Sequence, residues 1–285
     1  MERSLPDGTR PEGTRGILRA REGLERFQVR RIPPAPELAP FVEHFWVLRW
    51  DLRGRPPHRQ AVLTRPSVHM TFTSYLTSGA TRARIVGVVR DDFIEEIRDE
   101  GRVVGAAFRP GGFRPFTDAP VSALTGRFAD VDEVFGAAGR ALAAEIFAAA
   151  SAEDAVGRLA DFLVGAAPEP DPSAERAAAV VARIAARPGL VRVDELAADV
   201  GLGARSLQRL FHEYVGIGPK WVIRRFRMRE AAERAASGGA VDWAGLAAEL
   251  GYADQAHFTR DFTAAVGTPP ARYAREAGGP GSIES

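Results

Sequence analysis

The chain has 285 residues, enough for two domains of ordinary size, and 45% of them are hydrophobic, which argues for a sizeable core and against gross disorder. It contains no cysteine, which excludes disulfide staples, thiolate nucleophiles and cysteine-based zinc sites. The net charge of +1 is uninformative, but residues 172–275 hold 15 Lys or Arg against 11 Asp or Glu, a local excess of +4 that leaves about −3 elsewhere. No apolar run approaches the ~20 residues that span a bilayer, and the N-terminus lacks the layout of a secretory signal. The expectation is a cytoplasmic protein with no membrane contact.

Residues 1–26 are rich in Gly, Pro and charge and are expected to form a flexible arm. From Phe27 to about Arg109 the pattern is strand-like. Val42–Leu48, Gln60–Leu63, Val68–Thr73, Arg84–Val89 and Val103–Phe108 are short apolar or alternating runs between turn-forming clusters. Their spacing predicts a β-sandwich or barrel-like domain, closed off by the turn Pro110-Gly111-Gly112. Helices then begin at Asp130-Val131-Asp132-Glu133 and at Ser151, a natural N-cap, with the second ending near Gly165. The proline-rich stretch 167–172 cannot continue a helix and separates a β-rich domain with trailing helices (27–166) from an all-helical one (173–275). Residues 276–285 read as a flexible tail. The fold class is thus α+β.

The most informative feature is an internal repeat. Leu196-Ala197-Ala198-Asp199-Val200-Gly201-Leu202 matches Leu246-Ala247-Ala248-Glu249-Leu250-Gly251-Tyr252 at an offset of 50. After a one-residue slip, Arg209-Leu210-Phe211 matches Arg260-Asp261-Phe262, Val215-Gly216 matches Val266-Gly267, and Pro219 matches Pro270. Each copy reads as a small helix, a glycine suited to a left-handed helix end, and a second helix free to enter a DNA groove.

The second helices divide into faces. In the first copy Leu207, Leu210, Phe211 and Tyr214 are apolar, while Arg205, Gln208, Arg209 and His212 share another face. In the second, Phe258, Phe262 and Val266 are apolar, and Ala256, Thr259, Arg260 and Thr263 are the polar-face equivalents. Arginine can bond guanine and glutamine adenine bidentately, while Ala256 or Thr259 suits a thymine methyl. A salt bridge to a nearby acid is the alternative for Arg209 and Arg260. His212 is assigned to solvent or a phosphate, and His257, which aligns with Ser206, to a phosphate or to half-buried packing. Between the copies, Lys220–Ala232 forms a helix with an aromatic-aliphatic face and a basic face, from which Arg224, Arg225 or Arg227 could contact phosphates.

On these residues the region Leu190–Tyr273 resembles the DNA-binding domain of AraC/XylS-type transcription regulators. Leu246–Tyr252, Phe258-Thr259-Arg260-Asp261-Phe262 and Gly267–Tyr273 carry that family's signature. The resemblance implies two helix-turn-helix units joined by a long helix and docking into successive major-groove segments of double-stranded DNA. By position it makes Arg205, Gln208 and Arg209, then Gln255, Ala256 and Arg260, the base readers. Gly203 and Ala204 depart from the family, being small where polar helix starters are usual. The stretches Pro36–Trp46 and Gly105–Phe116 resemble β-rich N-terminal domains attached to such regulators, which implies a sensory or dimerising module. RNA polymerase and a second copy of the chain follow as candidate partners.

His44, His58 and His69 lack the tight His-x-His spacing of a metal-binding cupin, so no metal and no cofactor is assigned. Trp46, Trp50, Phe72 and Tyr75 are assigned to a sandwich core in preference to an effector pocket. No Ser/His/Asp, paired-carboxylate or metal constellation stands out, and the alkyl-transfer chemistry sometimes joined to this DNA-binding domain needs a cysteine, so an enzyme is not expected. A regulator answering to a small molecule and one whose N-terminal domain only dimerises or binds a protein remain open. An apolar cavity would favour the first, a flat exposed apolar patch the second.

Overall fold

Alternation along the strands gives the N-terminal sheet two working faces. The computed structural model describes residues 16–91, 93–237 and 240–278. A short helix α1 (Ala20–Leu24) precedes eight strands: β1 (Phe27–Ile32), β2 (Val42–Asp51), β3 (His58–Val62), β4 (His69–Tyr75), β5 (Thr81–Val86), β6 (Phe93–Ile97), β7 (Glu100–Phe108) and β8 (Phe128–Asp130). Six of them form one antiparallel sheet in the order β1-β2-β7-β4-β5-β8, and β3 pairs with β6 apart from it. On one face Phe45, Val47, Met70, Phe72, Val104 and Phe108 are buried against Leu142, Ile146, Leu159 and Leu163 of two helices. Each such side chain contributes about 1.5–3 kcal/mol on burial. Phe72 therefore belongs to the core, as expected. The opposite face carries His44, Trp46, Leu48, His69, Thr71, Thr73 and Val103, and is described below.

The two helices are α2 (Val131–Ala148) and α3 (Ala152–Gly165). Asp130 and Glu133 form a capping box at the start of α2, and Gly136 (φ 58°, ψ −139°) interrupts it. The Ser151 side chain accepts the Asp154 backbone N–H at 3.0 Å, the cap anticipated for α3.

After an irregular stretch, Asp171 caps α4 (Pro172–Ala185), with Pro172 at the first helical position, where a missing N–H leaves nothing unsatisfied. Then follow α5 (Val193–Asp199), α6 (Ala204–Leu210), α7 (Pro219–Ala236), α8 (Trp243–Glu249), α9 (Gln255–Val266) and α10 (Pro270–Gly278). The pairs α5–α6 and α8–α9 end their first helices identically. Leu202 N–H donates to Ala197 O and Gly201 N–H to Ala198 O; Tyr252 N–H donates to Ala247 O and Gly251 N–H to Ala248 O. Both glycines hold positive φ (64° and 73°), the left-handed conformation that this paired closure requires. The one-residue slip in the repeat lies in the second turn, where Ala253 is the added residue; Asp254, the counterpart of Gly203, caps α9 with its side chain through the His257 N–H at 2.6 Å. Gly203 offers α6 no such side chain. Beyond Leu210 the first recognition helix widens into a π turn, Phe211–Val215, closed by Gly216 N–H to Phe211 O at 2.7 Å.

Two stretches expected to be flexible depart from that expectation. Residues 16–26 pair with the β3 edge through Ile17 and Val62, and Leu18 is buried beside Phe262 and Tyr273. Arg19 binds Glu276 at 2.8 Å and Thr268 Oγ1 at 2.9 Å, so Glu276, at the start of the expected tail, is helical and paired. Their polar composition hid one well-placed leucine. Residues 1–15 and 279–285 lie outside the described residues. No helix among the described residues is long and apolar enough to cross a membrane.

Ser151→Ala removes a side-chain cap without touching the core, and is expected to cost about 1 kcal/mol, read as a lower urea midpoint at unchanged m-value.

Candidate nucleic-acid interface and shared cavity

The exposed residues of the two recognition helices form the first candidate site. Arg205, Gln208 and Arg209 on α6, and Gln255, Ala256, His257 and Arg260 on α9, are exposed. Leu207 and Phe211 of the first unit, and Phe258 and Phe262 of the second, are fully buried on the opposite faces. The side chains of Arg205, Gln208, Arg209, Gln255 and Arg260 make no hydrogen bond or ion pair among the described residues. Their donors are available to an outside acceptor. Thr259 is half-buried, and His257 sets its ring edge-on to Tyr252 at 5.1 Å.

His212 is also exposed, but the π turn carries it to Ser122 of the N-terminal domain, with Nε2 3.0 Å from Ser122 Oγ. The neighbouring positions are tied to the same segment. Arg114 Nε donates to Glu213 at 2.7 Å, and Thr125 Oγ1 donates to Gly216 O at 2.6 Å. Tyr214 donates to Asp171 at 2.8 Å. The end of the first recognition helix is thus held by residues 114–125, a contact with no signature in a local pattern.

The basic face of α7 requires a correction. Arg225 was expected among the phosphate contacts, yet it is only 7% exposed. Its guanidinium lies 4.5 Å over the Trp221 ring and donates to Arg90 O at 2.7 Å. Arg227 is likewise buried, 3.9 Å over the Tyr252 ring. Aromatic faces and a carbonyl replace the water that burial removes, which lets the cations point inward. Arg224 stays exposed and pairs with Asp261 at 3.0 Å, an acid that also accepts from Tyr252 Oη at 3.0 Å.

Residues 196–276 match a family described as a helix-turn-helix domain, and residues 30–130 match a domain of unknown function (DUF6597). The C-terminal part of the chain is thus a helix-turn-helix domain. Among solved structures, it is similar to an AraC-type transcriptional regulator from Chromobacterium violaceum (21% identity, 38% of this chain and 97% of that one, TM-score 0.35). It is also similar to the C-terminal domain of AraT from Geobacillus stearothermophilus (23%, 38% and 87%, TM-score 0.32). ToxT from Vibrio cholerae O395 aligns over more of the chain at lower identity (11%, 90% and 99%, TM-score 0.39). No curated protein matches the chain in sequence.

The second candidate site is a cavity of about 570 Å³ on the face of the six-stranded sheet turned away from α2 and α3. The β3–β6 pair covers it with Val62, Phe93 and Ile97. Part of its wall comes from the DNA-binding domain: Ala185 and Pro188 beyond α4, and Phe226, Arg229, Glu230 and Glu233 of α7. Trp46 lines it, contrary to its assignment to the core, whereas Trp50 is buried beneath Tyr75. The reason is Gly105, which faces Trp46 across the β2–β7 ladder; a Cβ there would lie 2.8 Å from the indole, so its absence lets the ring lie on the sheet.

One end of the cavity is polar. Glu43 and Arg65 form an ion pair there, and His69 Nε2 lies 3.3 Å from Ser67 Oγ. Burial pushes the His69 imidazole down to about 4, helped by the nearby His44. Burial and the Arg31 charge push His44 down to about 4 as well. Burial raises the Glu43 carboxyl, but the charge and hydrogen bond of Arg65 outweigh it and hold it below its usual range. His58 stands apart, beside Gln60 and the Phe27 ring. Arg31, Glu43 and Arg65 carry no local sequence signal.

The neutral histidines set a pH dependence. Their folded pKa values lie below the unfolded value of about 6.5, so between pH 6.5 and 4 the unfolded chain binds more protons. The histidine contribution to stability is therefore expected to fall as pH drops through that window and to level off below 4, where carboxylates held below their usual range, such as Glu43, continue the loss. His69 contributes up to about 3 kcal/mol, less whatever cavity water returns to it. Denaturant midpoints across pH 4–7 measure this, and His69→Gln should flatten the profile.

Proposed function

We propose that this protein is a sequence-specific transcription regulator whose hold on DNA responds to a small molecule in the shared cavity. The observation that carries this reading is the wall of that cavity. Residues of α7, the helix that fixes the two helix-turn-helix units relative to each other, sit beside residues of the N-terminal strands around one space. An occupant would touch both domains, so its binding energy differs between arrangements of α7, which is what a ligand needs to shift an equilibrium. The 570 Å³ volume lies within the range of small-molecule sites. This favours a sensor over a module that only dimerises.

On DNA, Arg205, Gln208 and Arg209 would read one major-groove segment, and Arg260 with Gln255 and Ala256 the next. Among the described residues Arg209 and Arg260 make no ion pair, which favours groove contacts over a structural salt bridge. The first unit presents three polar readers close together, so its half-site should be the more strictly specified. Arg224 remains the α7 candidate for a phosphate, with Thr259 and His257 at the edge of the second reader.

Mobility shift with the protein's own upstream region tests the core claim; no affinity for it even at low salt would refute it. Arg209→Ala and Arg260→Ala are each expected to cost about 1–3 kcal/mol at the specific site, with little change on random DNA. Equal loss on both would reassign them to phosphate contacts. Arg225→Ala should instead lower the melting temperature and leave the salt slope of DNA binding intact, since its guanidinium faces the domain interface.

A further inference from the structure

The two helix-turn-helix units close their turns alike, yet they differ at two matched positions. Tyr252 in the second copy stands where the first has Leu202, and Asp261 where the first has Leu210. Both leucines are half-buried and pack against the core of the first unit. The same pair of helices thus closes with apolar residues at both places, so the fold itself does not require the polar pair.

In the second unit the polar pair belongs to a lock between α7 and α9. Asp261 gives one oxygen to each of two partners. Its Oδ1 accepts Arg224 Nη2 of α7 at 3.0 Å, and its Oδ2 accepts Tyr252 Oη, from the turn leading into α9, at 3.0 Å. The Tyr252 ring carries the Arg227 guanidinium of α7 3.9 Å from its centre, and meets His257 and Phe258 of α9 at 5.1 and 5.5 Å. Tyr252 and Arg227 are both buried. Burial pushes the Tyr252 phenol above its usual range, with the charge and hydrogen bond of Asp261 adding to it against the Arg227 charge. Burial likewise pushes the Arg227 guanidinium down. Both shifts mark a desolvation that a pair of leucines avoids.

What the lock fixes is the roll of α9. Asp261 directly follows Arg260, whose side chain is exposed. Side-chain tips stand about 5–6 Å from a helix axis, so a roll of about 20° carries them through about 2 Å. A two-bond contact to a base edge does not tolerate such a displacement. The direction in which Arg260 projects therefore depends on where its neighbour is held.

We propose that Asp261 is a positioning residue of the second unit: held by Arg224 and Tyr252, it sets the roll of α9 so that Arg260 meets its base in register, and it does so without touching DNA. The proposal rests on the DNA-reading role of Arg260 and names the residue on which the discrimination by Arg260 depends.

The test uses the intact protein, a fragment of its own upstream region and a random duplex of equal length. The quantity read is the ratio of the two affinities. Asp261→Leu, the exchange that the first copy already makes, is expected to melt cooperatively. It should lower the ratio about tenfold through weaker binding of the upstream fragment, with the random duplex unchanged or bound more tightly because an acid is gone. In an Arg260→Ala background the same exchange should change the ratio by less than about twofold, since the reader through which it acts is absent. Tyr252→Phe removes one O–H, keeps the ring on Arg227, and should lower the ratio by about threefold. If Asp261→Leu does not melt cooperatively, Asp261→Asn keeps the shape, drops the charge and is held to the same comparison in both backgrounds. An unchanged ratio in the folded variants, an equal loss on both duplexes, or the same loss with and without Arg260 would overturn the proposal. So would tighter binding of the upstream fragment, which would make Asp261 a competitor of DNA for Arg224. Failure of the unaltered protein to separate the two duplexes sinks the regulator reading. A sound ratio that falls with Arg260→Ala but not with Asp261→Leu sinks the positioning role alone.

Discussion

Helix α7 is buried from several sides, and Arg225, Arg227 and Arg229 are buried with it. Met228, Ala231, Ala232 and Ala235 pack with the second helix-turn-helix unit, and Val222 and Ile223 with the first. Its remaining faces meet the N-terminal domain through Arg225 and Trp221, both donating to Arg90 O. Guanidiniums tolerate this because they are weakly hydrated and stack on aromatic rings, which offsets the loss of water. The spacing of the two recognition helices, the wall of the cavity and the docking of the domains all follow from where this helix lies.

The N-terminal domain grips both DNA-binding units at once. Val88 is buried in the core of the first unit, and Leu18 and Leu63 in the core of the second. Residues 114–125 hold the π turn at the end of the first recognition helix through Arg114, Ser122 and Thr125. A change in the cavity therefore has two physical routes to the exposed faces of α6 and α9: directly through α7, and through this clamp. Both are chains of packed side chains and hydrogen bonds, the kind of contiguous network through which coupling can act.

The two faces of the sheet explain why one protein holds both a dense core and a large cavity. Toward α2 and α3, apolar side chains interdigitate and leave little space. On the other face the strands present imidazole, hydroxyl and guanidinium groups that do not close over one another, and Gly105 flattens the floor further. The pair β3–β6 covers this face without filling it. Burial without neutralisation then holds His44 and His69 unprotonated.

Much of this was legible in the residues alone. The repeat, its glycine turns, the buried stripes and exposed polar faces of α6 and α9, and the cap at Ser151 follow from periods of 3.6 and from capping chemistry, which act over a few residues. The same local rules located β2, β4 and β7. They passed over β6 and β8, one crowded with glutamates and the other three residues long. What lies outside such rules are contacts between residues a hundred or more positions apart. The arm at 16–26 looks mobile until Leu18 meets Tyr273, and Arg225 looks like a phosphate ligand until Arg90 O accepts it. Trp46 looks like core until Gly105 and α7 leave a space above it. The sequence by itself determined that the chain carries a double helix-turn-helix domain behind a β-rich one, because each unit's helices and turns are specified within that unit. Only the tertiary structure decided which arginines face solvent, where the cavity lies and that both domains line it, because these depend on desolvation and packing between distant segments.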